Sequence, residues 1–136
     1  MDVGEARGFL DRNHRAVLAT HRSDGGIQMS PVLAVTDENG DAVISSRETA
    51  YKVRNLRRDA RATLCVMNDG FFGEWALVEG TAEIVPLPEA MEALIDYYRR
   101  AAGEHPDWND YRAAMEKERR VLIKISIEKA GPTRAG

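Results

Sequence analysis

Turn signals recur so often in the first half of this chain that none of its apolar runs outgrows a single β-strand. SDGG (23–26), DENGD (37–41) and NDGFFG (68–73) each combine small polar residues with glycine, the composition of tight reversals. Around them lie HRAVLATHR, IQMSPVLAVTD, AVISS, RATLCVMN and a longer run from Glu74 to Val85, rich in β-branched and apolar residues. Short turns join neighbouring strands antiparallel, so the first three runs predict a meander. A sixth strand closes the pattern: in RVLIKISIEKA, Val121, Ile123, Ile125 and Ile127 alternate onto one face. Pro31 lacks the amide a ladder needs, which puts its strand at an edge, at a bulge, or opened toward a ligand.

Helical spacing accounts for most of what remains. Val3, Ala6, Phe9 and Leu10 share a face over 2–12. Thr49 has the side chain to cap a helix running to about Arg58. Pro88 suits the first position of a helix carrying Met91, Leu94, Ile95 and Tyr98, with Arg99 and Arg100 toward its carboxyl end and Gly103 as its stop. Residues 107–118 predict a fourth helix. Strands in hairpins with segregated helices indicate an α+β antiparallel or barrel domain rather than a doubly wound sheet. At 136 residues the expectation is one domain spanning 1–136.

The chain carries a net charge of −3, but unevenly. Residues 47–61 hold six cations (Arg47, Lys52, Arg54, Arg57, Arg58, Arg61) against Glu48 and Asp59, whereas residues 74–118 hold eleven carboxylates against four cations. Such a basic segment is most often a solvated helix face; the alternative is a local attractor for an anionic ligand. The acidic total argues against general nucleic-acid binding. No run is long enough to span a bilayer, and the charged amino end does not read as a secretory signal. A lone Cys65 gives no disulfide framework, consistent with a cytoplasmic location.

Several chemistries lack their residues. There is no glycine-rich dinucleotide fingerprint and no phosphate loop. His14, His21 and His105 lie far apart without carboxylates or cysteine at ligand spacing, so no metal site is expected. Cys65, between Leu64 and Val66, reads as a buried inert thiol. No carboxylate stands in an apolar setting that would tune it for acid–base work.

The basic segment is more specific than its charge. AYKVRNLRRDARATLCVMNDG followed by EWALVEGTAEIVP resembles the central signature of the pyridoxamine 5'-phosphate oxidase-like superfamily. Together with IDYYRRAAGEHPDWNDYRAAMEKERRVLIKI it is similar to the F420-dependent, flavin/deazaflavin oxidoreductase class B branch. The resemblance covers nearly the whole chain. It implies a six-stranded split β-barrel with peripheral helices, a homodimer with cofactor sites at the subunit interface, and hydride transfer to an electron-poor small molecule such as a conjugated carbonyl, quinone or tetrapyrrole.

Carried over by position, the resemblance assigns Ser45, Ser46, Arg47, Lys52 and Asn55 to the cofactor phosphate. It places Met29, Ser30, Pro31 and Val32 under the redox ring, and Trp75 in a region that reaches toward the cofactor from a neighbouring strand or subunit. Arg54, Arg57 and Arg58 are left as solvated alternatives, and Arg61 as a partner for a carboxylate. Two departures favour F420 over FMN: IQMSPVLAV carries no arginine where the vitamin-B6 oxidases place one, and Tyr51 stands where they often have arginine. The longer anionic tail of the deazaflavin suits a basic surface. No side chain stands out as a general acid, which leaves the catalytic residue unassigned and water as a proton source.

Overall fold

The computed structural model describes residues 1–132; the last four residues of the expected 1–136 domain lie outside the described residues. Helix α1 (Val3–Arg12) starts at a reciprocal cap, in which Asp2 accepts from the Glu5 amide and Glu5 from the Asp2 amide. The strands are β1 (Arg15–His21), β2 (Ile27–Leu33), β3 (Val35–Thr36), β4 (Ala42–Arg47), β5 (Arg61–Met67), β6 (Trp75–Val85) and β7 (Arg120–Gly131). The other helices are α2 (Tyr51–Arg58), α3 (Met91–Ala102) and α4 (Trp108–Glu118). All pairings are antiparallel, in the order β2-β1-β5-β6-β7-β4-β3.

This is the antiparallel α+β arrangement expected from the turn pattern and the split barrel that the resemblance implies, with one refinement. The run 27–37 is not one strand. At Ala34 the chain leaves β1 and pairs for two residues with β4 as β3, so the count of strands is seven rather than six. The long strands β6 and β7 curl where their register shifts between Glu79 and Gly80. A Cβ on Gly80 would lie 1.7 Å from the Ser126 carbonyl oxygen, so glycine is required for this close approach.

Two apolar cores result. The inner faces of the strands enclose Leu18, Ile44, Leu64, Val66, Val78, Ile123 and Ile125, capped by Ala6, Phe9 and Leu10 of α1 and by Val53 and Leu56 of α2. A second core lies between the sheet and α3–α4, built from Val35, Val43, Leu94, Ile95, Tyr97, Tyr111, Met115 and Leu122. β7 belongs to both, because Leu122 faces the helices while Val121, Ile123 and Ile125 face the barrel.

Three local expectations are corrected. Thr49 does not cap α2; the N-cap is Ala50, with no side-chain bond. Pro88 lies in the turn before α3, which begins at Met91. Cys65 is half-exposed, because its position in β5 puts it on the outer face of the sheet, opposite Leu64 and Val66.

Candidate functional site

β2 is an edge strand, and the parity of its ladder decides what that edge offers. The bonds from the Arg22 amide to the Gly26 carbonyl and from the Ala34 amide to the His14 carbonyl (both 2.8 Å) set the alternation. Gln28, Ser30 and Val32 therefore spend their backbone groups on β1, while Met29, Pro31 and Leu33 direct theirs off the sheet. The missing amide of Pro31 costs the ladder nothing here, since it falls on the free side. The four ring-side residues do not share a face: Met29 and Pro31 are exposed on the outer surface, Ser30 and Val32 turn inward. What they share is the edge strand, unpaired on the side of Met29, Pro31 and Leu33. The Ser30 hydroxyl is buried and has no hydrogen-bond partner among the described residues, an exception to the rule that buried polar groups are paired.

β4 leads into the basic helix. Ser45 is half-buried on the face toward α3, whereas Ser46 turns into the barrel, 2 % exposed, and donates to the Arg47 carbonyl at 3.2 Å. The two hydroxyls thus look to opposite sides. Without a side-chain cap, the first amides of α2 are left without an acceptor from their own helix. Lys52 is half-buried there and makes no ion pair among the described residues. Burial, and then the nearby charge of Arg120, lower its pKa. Arg47 lies opposite Arg120 in the β4–β7 pairing, and both guanidinium groups share Glu118, at 3.7 and 2.8 Å. Lys52, Arg47 and Arg120 give this corner more positive charge than Glu118 neutralises, a setting that favours an anion.

Asn55 is placed differently. It is 6 % exposed, and its amide donates to the Thr20 hydroxyl at 3.0 Å, which ties α2 to β1. Arg58 bonds the His21 carbonyl, Arg57 pairs with Glu48 at 3.6 Å, and Arg54 stands over the Tyr51 ring. Arg61 is bound to Asp59 at 2.6 Å, the carboxylate partnership expected for it. Trp75 stands apart from this corner. It lines a cavity of about 750 Å³ with Met1, Phe9, Arg12 and Pro132, and none of the phosphate-side residues borders that space. Among the described residues no group of three or more His, Cys, Asp or Glu side chains converges on a metal position.

Two residues of this corner escaped the sequence reading. Arg120 begins a strand whose apolar alternation dominates its pattern, so its charge did not stand out. Tyr97 lies next to the helical stripe of Leu94, Ile95 and Tyr98. Its hydroxyl, in a residue 8 % exposed, donates to the Leu33 carbonyl at 2.7 Å, and the Ser45 amide lies near that hydroxyl. Burial raises its pKa despite that amide and Arg120.

The sequence profile of the pyridoxamine 5'-phosphate oxidase family matches residues 3–133. The chain belongs to that family. Solved structures share the fold of this pyridoxamine 5'-phosphate oxidase family member. The conserved hypothetical protein Rv2991 of Mycobacterium tuberculosis superposes with a TM-score of 0.77 at 22% identity, over 100% of this chain and 92% of that one. An F420 reductase gives 0.70 at 22%, over 92% and 94%. A heme binding protein of Mycobacterium smegmatis gives 0.70 at 19%, over 97% of this chain and 55% of that one. At these identities the likeness establishes the fold.

Proposed function

We propose that this chain is an F420H2-dependent reductase that delivers a hydride to an electron-poor small molecule, acting as a cytoplasmic homodimer. The observation that carries the reading is Lys52: a half-buried ammonium with no carboxylate partner among the described residues, beside Arg120 and at a helix start without a side-chain cap. A folded chain holds like charges together this way more readily when an anion completes the set. Ser45, Arg47, Lys52 and the first amides of α2 would hold the cofactor phosphate, with Arg120 behind them. Ser46 and Asn55 support that corner from within, through the barrel interior and through Thr20.

The free edge of β2 complements this cradle. The backbone groups of Met29, the Pro31 carbonyl, the Leu33 amide and the unpartnered Ser30 hydroxyl would present polar atoms to a planar ring, and Val32 would add an apolar contact. When bound, the reduced deazaflavin supplies the hydride, and the protein orients it.

Dimerisation is supported by the outer face of β2-β1-β5-β6. Register places Leu33, Arg15, Met67 and Trp75 in one row and Pro31, Val17, Cys65 and Leu77 in the next. Ile27, Met29 and Leu33 are 46%, 64% and 43% exposed, an apolar surface that a second copy would cover. Trp75 lies on this face, so its role toward a cofactor is proposed across the subunit boundary. No helix among the described residues is long and apolar enough to cross a membrane.

An FMN enzyme is the second reading, favoured by the family itself; β2, with no arginine, disfavours it. Titration of the purified protein separates the two. The F420 reading expects saturable quenching of F420 fluorescence and weaker binding of FMN. Tight FMN binding with no response to F420 reverses the assignment. Steady-state oxidation of F420H2 by a panel of quinones, enones and tetrapyrroles then separates a reductase from a noncatalytic carrier, which binds without turnover.

A further inference from the structure

The barrel is split where β2 and β4 diverge, and the register shows what keeps it so. Val35 pairs with Val43 and Thr36 with Ala42. Continued backward along the chain, that register brings Leu33 opposite Ser45 and Pro31 opposite Arg47. Leu33 directs its backbone away from β1, so a Leu33–Ser45 rung would be a hydrogen-bonded one. That rung does not form. The Tyr97 hydroxyl occupies its place, donating to the Leu33 carbonyl at 2.7 Å, with the Ser45 amide nearby. At the next hydrogen-bonded position Pro31 has no amide to donate.

We propose that Tyr97 is a wedge that, together with Pro31, stops β4 from zipping onto β2 and so holds the proposed cofactor cleft at its working width. Tyr97 is therefore a positioning residue: it touches the two strands, not the ligand. The phenolic oxygen stands in for one of the two hydrogen bonds of the would-be rung, taking the Leu33 carbonyl as its acceptor with the Ser45 amide close to it, so the strands stand apart without stranding that carbonyl. The oxygen is held from outside the sheet by α3, whose Tyr97 ring packs in the second core beside Val43, Tyr111 and Leu122. The consequence for ligand binding rests on the function proposed above; the wedge itself does not.

The test uses the full chain and three variants: Tyr97→Phe, Pro31→Ala, and both together. Amide hydrogen exchange without ligand reads the wedge. With the hydroxyl gone, Ser45 and Leu33 pair directly, and the Ser45 amide should exchange about 10-fold more slowly, with a larger effect in the double variant as a further donor becomes available. A residue that merely braced the fold would give the opposite sign, faster exchange across β2 and β4, and that result overturns the proposal. Titration with F420, and separately with FMN, reads the cleft. Binding should weaken about 10-fold or more in the double variant while its thermal midpoint holds or rises. Unchanged affinity alongside slowed exchange refutes the positioning role. If the unaltered protein binds neither cofactor at saturating concentration, the proposed function fails, whereas the exchange result still decides the wedge.

Discussion

Replacing Lys52 with methionine should move two quantities in opposite directions. The apo protein carries this ammonium half-buried and beside Arg120, and both surroundings disfavour its charge. Removing it relieves that penalty while keeping the apolar stem, so the thermal midpoint without ligand should stay level or rise. The pH dependence has the same origin. A lysine whose folded pKa lies below its unfolded value of 10.5 weakens the fold while charged, so apo stability climbs as pH rises through the folded value toward 10.5. The methionine variant should lack that climb. Cofactor binding should suffer. A charge-assisted bond to phosphate contributes about 1.5–3 kcal/mol; partial exposure and screening place Lys52 in the lower part of that range, about 1.5–2 kcal/mol, or roughly 10- to 30-fold in Kd. F420 fluorescence titration at fixed ionic strength measures the second quantity and a melt without ligand the first. Affinity unchanged within about twofold, or a large fall in the apo midpoint, would show that Lys52 serves the fold and not an anion.

Four further outcomes follow from the same structure. Gly80→Ala places a methyl 1.7 Å from the Ser126 carbonyl oxygen, at the curl of the sheet; denaturant unfolding should show a loss of more than about 3 kcal/mol, or no folded protein. Tyr111, bonded to the Leu94 carbonyl, has its pKa pushed up to about 12 by burial; its contribution to stability is complete below pH 10 and is lost as pH climbs toward 12, so alkaline melts of Tyr111→Phe should flatten over that window. Met29→Glu, at an exposed position on the outer face, should turn a dimer into a monomer in light scattering with little change in unfolding free energy. Asn55→Ala strands the α2 tie to Thr20 and should lower stability by about 1–3 kcal/mol, with a smaller effect on F420 affinity than Lys52→Met; the reverse ranking would put Asn55 on the ligand.

The alternation of Val121, Ile123 and Ile125 and the glycine turns were enough to read an antiparallel α+β or barrel domain from the residues, because period and punctuation are local properties; the split barrel itself came through the resemblance. The break at Ala34 was not, since a strand that changes partners keeps the same apolar content on both sides. Cys65 was misjudged for a related reason: its neighbours Leu64 and Val66 are buried, but a strand's odd and even positions face different worlds. At the site, Lys52 and Ser45 were found through resemblance, and the structure adds a physical motive in their charge and burial. Trp75 was grouped with them, yet its cavity lies elsewhere in the chain's own fold. Arg120 and Tyr97 were missed because their roles depend on residues distant in sequence, Lys52 for the one, Leu33 and Ser45 for the other. No periodicity encodes a hydroxyl that substitutes for a rung.

Because β7 is a wall of both cores, its place in the order of synthesis matters. A nascent chain that has emerged only as far as α4 has β4 and β6 but lacks the strand that lies between them. Until Arg120–Gly131 leaves the ribosome, the inner strands can form a partial sheet, and α3 with α4 can only cluster against an unfinished surface. Closure of the barrel and seating of the helices should then arrive as one late event, and slow passage through that window is where this chain is most exposed to aggregation.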